Sequence, residues 1–95
     1  MDQAHVHTAP SLAGPSRVGL VAGRGEMPLE ICRAARAAGV SVAAVALYQE
    51  ASLAIEELAA SVDWVYVGQI QRGIDCLKRR GVDRVIFAGQ IRPHR

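Results

Sequence analysis

The chain of 95 residues is poor in most of what enzymes and nucleic-acid readers use. Its two cysteines, Cys32 and Cys76, stand far apart and fit no zinc or dithiol spacing, so they read as free, buried or half-buried thiols of a reducing compartment. His5, His7 and His94 lie near the chain ends with no Asp or Glu at ligand spacing, and no metal site is expected of them. Asp63 and Asp75 have no second carboxylate in a readable constellation, and no Ser/His/Asp or Cys/His arrangement can be assembled. The catalytic inventory is empty. Aromatic residues are few, one Trp, two Tyr and one Phe. Without aromatics interleaved among basic residues, an RNA-binding surface is not expected, and Trp64, Tyr66 and Phe87 read as packing residues. No apolar run approaches the roughly 18 residues of a membrane span. The N-terminus lacks a basic stretch followed by an apolar one, so no secretory signal is expected. Eleven basic and nine acidic residues leave a net charge of +2, too near balance to demand a polyanionic partner. These absences point to a cytoplasmic protein that binds no nucleic acid.

What is present is short aliphatic runs punctuated by glycine. Residues 1–16, rich in Pro, Ser, Ala and Gly and without apolar periodicity, read as a disordered tail; residues 17–95 read as a single small domain. Arg17 to Ala22 predicts a strand. Met27 to Ala38 predicts a helix, with Pro28 in the first turn, acidic Glu26 and Glu30 near its positive end, and Met27, Ile31, Ala34, Ala35 and Ala38 as its inner stripe. Gly39 stops it. Val40 to Leu47 is continuous and β-branched, the mark of a strand covered on both faces. Ser52 to Ala60 predicts a short helix begun by a serine cap. Val62 to Val67 alternates like an edge strand. Gln69 to Arg80 predicts a third helix, with Lys78, Arg79 and Arg80 complementing its negative end before Gly81. Arg84 to Ala88 predicts the last strand. Of the C-terminal basic cluster, Arg84, Arg92 and Arg95 complete the list. Strand alternating with helix predicts a three-layer α/β domain, its four parallel strands joined by right-handed crossovers. By analogy with doubly wound domains the strand order is 3-2-1-4, counting these four strands from Arg17.

In such a sheet ligands bind outside the carboxyl ends of the strands. Gly23-Arg24-Gly25 falls there, after the first predicted strand and before the first helix. Glycines let the backbone turn tightly and approach a phosphate, and the open N–H groups of the helix start supply donors. Pro28 stands where a dinucleotide fingerprint carries its third glycine, which disfavours ordinary NAD binding. Gly68-Gln69 and Gly89-Gln90 repeat one pattern at two further strand ends, a small residue and then an amide able to donate and accept without charge. Gln69 serves equally well as a cap of the third helix. Arg24 and Arg92 have the guanidinium fork that matches phosphate oxygens.

At these same residues the chain resembles a known family. Gly19-Leu20-Val21-Ala22-Gly23-Arg24-Gly25-Glu26-Met27-Pro28 is similar to the opening G-L-I-A-G-x-G-x-L-P of the magnesium-dependent UDP-2,3-diacylglucosamine pyrophosphatases of lipid A synthesis. The resemblance continues through Gly68-Gln69, Leu77 to Val82 and Ala88-Gly89-Gln90-Ile91 to Arg92-Pro93. Three motifs thus coincide in order and spacing over Arg17 to Pro93. Many relatives have one more residue before that proline. The resemblance implies a Rossmann-like N-terminal domain that encloses a UDP-sugar lipid against a separate catalytic domain or chain, which carries the catalytic acids and the magnesium. Water attack on the pyrophosphate would release UMP and the diacylglucosamine 1-phosphate. It gives Gly23, Arg24, Gly25, Gln69, Gly89 and Gln90 a place on the substrate side, with no catalytic residue, metal ligand or cofactor in this chain. The chain then reads as a partial domain, inactive alone, and the full enzyme as one that touches a membrane peripherally. A second resemblance is to the N-terminal domain of biotin carboxylases, through Arg24-Gly25-Glu26 and Ser61-Val62-Asp63. A module that binds a nucleotide or a partner without catalysis is the alternative outside both families.

Overall fold

The structure, a computed structural model, describes residues 4–8 and 17–92. Its elements are β1 (Ala4–Thr8), β2 (Arg17–Ala22), α1 (Met27–Ala37), β3 (Ser41–Leu47), α2 (Ile55–Leu58), β4 (Ser61–Val65), a 3-10 turn (Val67–Gln69), α3 (Ile70–Arg79) and β5 (Arg84–Ala88). The sheet order is β1-β5-β2-β3-β4. β2, β3, β4 and β5 run parallel to one another in the predicted 3-2-1-4 order.

β1 is an addition to that plan. Ala4–Thr8 pairs antiparallel with Arg84–Ala88, within the stretch that composition assigns to a tail. The pairing covers the outer edge of β5, whose main-chain groups would otherwise stand unpaired. Main-chain pairing needs no apolar pattern, which is why composition does not reveal it. The rest of that stretch, residues 1–3 and 9–16, lies outside the described residues, as do Pro93, His94 and Arg95.

Alternation along the strands divides the core in two. Leu20, Ala22, Val42, Ala44 and Ala46 face Leu29 and Cys32 of α1 and Ile55 of α2. Val21, Ala43, Val45, Leu47 and Val65 face Leu77 of α3. The β3 run Val42 to Leu47 is therefore buried throughout. Leu20, Leu47, Ile55 and Leu77 are completely enclosed; each contributes about 1.5–3 kcal/mol by leaving water.

Helix α1 is rotated from its predicted setting. Its buried residues are Pro28, Leu29 and Cys32, flanked by Met27, Ile31 and Ala35, while Ala34 and Ala38 face outward. Alanine side chains bury too little area to set a helix face against Leu29. Helix α2 is a single turn, and the Ser52 hydroxyl accepts from the Ala54 N–H rather than capping a longer helix. Gly39 and Gly81, at φ 75° and 72°, end α1 and α3 as left-handed stops. β4 is the edge strand that its alternation predicts. Among the described residues no helix is long and apolar enough to cross a membrane.

Candidate functional site at the carboxyl edge

The two central strands end in a crossing. Beyond β2 the Gly23 N–H donates to the Ala88 carbonyl at 2.9 Å, extending the parallel ladder by one rung. The two chains then turn toward each other. The Arg24 N–H donates to the Gln90 carbonyl at 2.7 Å, and the Gln90 N–H returns to the Arg24 carbonyl at 3.0 Å, an isolated antiparallel bridge. A Cβ on Gly23 would lie 2.6 Å from the Gln90 carbonyl oxygen. A Cβ on Gly89 would lie 2.8 Å from the Gly23 carbonyl carbon, and Gly89 sits at φ 96°. Only glycines fit this knot. Gly25, at φ 107°, then turns the chain into α1, whose start no side chain caps.

Five of the six predicted residues, Gly23, Arg24, Gly25, Gly89 and Gln90, thus come together where β2 and β5 part. The bridge uses the backbone of Gln90 and not its amide. Gln69 lies at the end of β4, two strands beyond β2, about 10 Å along the edge by ordinary strand spacing. Its side-chain oxygen accepts from the Tyr66 N–H at 3.1 Å, so it caps the turn that opens α3.

The residue that the sequence reading passes over is Glu50. The turn after β3, with Gln49 at φ 69°, folds it back beneath the crossing, where its side chain keeps 1 % of its surface exposed. One carboxylate oxygen collects the Arg24 Nε at 3.3 Å, the Arg92 backbone N–H at 3.2 Å and the Arg92 Nε at 3.5 Å. The Arg92 terminal nitrogen also donates to the Gln49 carbonyl. The other carboxylate oxygen is buried without a partner among the described residues. Burial alone raises the carboxyl, but the Arg92 amide, the Arg24 hydrogen bond and the two guanidinium charges outweigh it. Glu50 is held below its ordinary range, a carboxylate at neutral pH. It ties the exits of β2, β3 and β5 together while both arginines stay half-exposed at the edge. An acidic residue just past the fully apolar strand next to the glycine turn is the signal that points to it.

Other clefts lie elsewhere. Openings of about 290 and 200 Å³ occur at the amino ends of the strands, lined by Cys32, Arg36 and Leu58 and by Arg17, Ser61 and Arg80. The physical preference of parallel sheets is for the opposite edge. The basic run resolves into structural pairings: Arg80 meets Asp63 at 3.3 Å and Arg79 contacts the Cys76 sulfur. Among the described residues no three His, Cys, Asp or Glu side chains gather where they could hold a metal ion.

An open α/β sheet with helices on both faces and a glycine crossing at its switch point defines a Rossmann-like domain. Residues 17–95 match the LpxI N-terminal domain, and the chain belongs to that family. It is the N-terminal portion of the UDP-2,3-diacylglucosamine pyrophosphatases of lipid A biosynthesis that the LpxI family comprises. The match corrects the resemblance drawn from the motifs: the pathway stands, but LpxI is a family distinct from the magnesium-dependent enzymes. The second resemblance, to biotin carboxylases, has no counterpart in it. No individual curated protein matches the chain.

Proposed function

We propose that the carboxyl edge of the sheet binds the nucleotide diphosphate of a UDP-sugar lipid, and that this chain alone does not hydrolyse it. The observation that carries the reading is the Gly23/Gly89 crossing with Arg24 and Arg92 gathered by one buried carboxylate beside it. Two guanidinium groups fixed at an exposed edge, next to an uncapped helix start, suit the oxygens of a pyrophosphate. Gln90 stands beside them for a sugar hydroxyl, while Gln69 acts by shaping the neighbouring turn. Water attack falls to a second domain or chain that closes over the same edge. The acyl chains of such a lipid would bring the whole enzyme to a membrane surface peripherally, from the cytoplasmic side that free cysteines favour. Magnesium, if the complete enzyme uses one, is held by residues other than those described.

Titration of the chain with UDP-N-acetylglucosamine and with ATP, followed by amide resonances, tests this. Shifts at Gly23, Gly89 and Gln90 with the UDP-sugar are expected, and Arg24→Ala should weaken binding about tenfold, the worth of one charge-assisted contact. Shifts confined to the amino edge would defeat the reading. Release of UMP from UDP-2,3-diacylglucosamine by the pure chain would defeat the claim that it is inactive alone.

A further inference from the structure

Three of the chain's four aromatic residues gather at the carboxyl edge. Tyr48 follows β3, Trp64 lies near the end of β4, and Tyr66 follows it. The Tyr48 ring stacks on Trp64 at 5.6 Å between centroids and 25° between planes, and meets Tyr66 at 4.7 Å and 40°. Trp64 is anchored by its indole N–H, which donates to a Glu56 carboxylate oxygen at 2.7 Å. The backbone beneath is fixed as well: the Tyr48 N–H donates to the Val65 carbonyl, and Gln69 holds the Tyr66 N–H. Yet 42 % of Tyr48 and 60 % of Tyr66 remain open to solvent. A chain so short of aromatics keeps two large rings wet on an ordered platform.

We propose that Tyr48 and Tyr66 form a shelf on which a nucleobase stacks. The proposal rests on the nucleotide reading of this edge and extends it. The strand order β5-β2-β3-β4 sets the glycine crossing at β5 and β2, the arginine-carboxylate cluster against the exit of β3, and the aromatic rings at the exits of β3 and β4. With strands about 4.8 Å apart, the shelf lies one to two strands from the crossing, on the side to which a nucleotide extends when its phosphates sit at the crossing. Tyr66 continues the alternation of Val62 and Trp64, which pack toward α1 and α2. The shelf therefore lies on the same face of the sheet as the helix that starts at the glycine turn. Stacking accepts any planar base, so the shelf supplies affinity without choosing among bases.

Three ligands separate the parts: UMP, ribose 5-phosphate and inorganic pyrophosphate, each titrated into the full chain. The single tryptophan gives one indole N–H resonance, a reporter inside the shelf. UMP is expected to move that resonance and to bind roughly tenfold more tightly than ribose 5-phosphate. Ribose 5-phosphate and pyrophosphate are expected to move Gly23 and Gly89 only. Tyr66→Ala, at an exposed position, should remove the UMP advantage and leave ribose 5-phosphate binding as it was; Tyr66→Phe should retain it. CMP should bind like UMP. Equal binding of UMP and ribose 5-phosphate, or a Tyr66→Ala chain that still prefers UMP, overturns the shelf while leaving the phosphate site standing. No response at Gly23 or Gly89 to any of the three ligands overturns both.

Discussion

Gly23 and Gly89 pass so close that a methyl group on either would enter main-chain atoms of the other's strand exit, 2.6 Å from the Gln90 oxygen in one case and 2.8 Å from the Gly23 carbon in the other. The neighbours are backbone held by two short hydrogen bonds, so neither can shift without breaking the bridge. Gly89→Ala adds a left-handed φ to the clash and should cost about 1–3 kcal/mol, a melting temperature lower by roughly 4 °C or more. Gly23→Ala, clashing without the φ term, should also destabilise, and both should lose the Arg24–Gln90 bridge. Thermal unfolding measures the first effect; amide exchange at Arg24 and Gln90 measures the second. Wild-type protection at both amides in the variants would show that the crossing tolerates a side chain.

The buried Glu50 carboxylate makes stability depend on acid. Its folded value lies below the ordinary 4.5, so it contributes stability that is complete above the ordinary value and is lost as pH falls through the lower folded one. Protonation of Glu50 leaves the Arg24 and Arg92 guanidinium groups without their counter-charge. Urea midpoints taken from about pH 7 down to about pH 3 should fall more steeply for the wild type than for Glu50→Gln, which has no proton to take up. Parallel curves would mean that other carboxylates set the acid limit.

Much of the domain is legible in the sequence because its signals are local. Apolar runs ending in glycine mark β2 and β5, the long β-branched run after Gly39 marks β3, and the 3-2-1-4 order comes by analogy with doubly wound domains. The glycine crossing is half legible: strand position draws Gly23 and Gly89 to one edge, but which backbone groups pair across it is a tertiary fact. Glu50 is marked only by its place just past the apolar β3 run, since its partners Arg24 and Arg92 lie 26 and 42 positions away. The rotation of α1 escapes for a different reason, because its Ala34 and Ala38 carry little hydrophobic signal against Leu29. Motif spacing likewise leads to the right pathway but to the wrong one of two families, which the match over residues 17–95 corrects.

The two thiols should separate by reactivity. Cys32 is enclosed between α1 and the sheet, 1 % exposed, and burial raises its thiol above the usual range despite the opposing charges of Arg36 and Arg33. Cys76 is only partly covered. Because the thiolate is the attacking species, a disulfide reagent near neutral pH should label Cys76 promptly and Cys32 only as the chain opens. A Cys76→Ser chain then shows one slow phase that accelerates with urea, and fast stoichiometric labelling of that chain would place Cys32 at the surface.

Gln69 and Gln90 look equivalent in sequence, each an amide after a glycine at a strand end, but they are held differently. The Gln90 contribution to the crossing is main-chain, with an exposed side chain. Gln90→Ala should therefore leave stability within about 0.5 kcal/mol, as surface substitutions generally do, and any effect should fall on ligand affinity. Gln69 satisfies the Tyr66 N–H at the start of the turn into α3. Removing it withdraws a cap, worth about 0.5–2 kcal/mol, and loosens the strand exit that carries Tyr66. Gln69→Ala should lower the urea midpoint and broaden the Trp64 indole resonance, since the Tyr66 ring no longer has a fixed backbone beneath it. If Gln90→Ala is the more destabilising of the pair, the division between a structural and a ligand-facing amide is reversed.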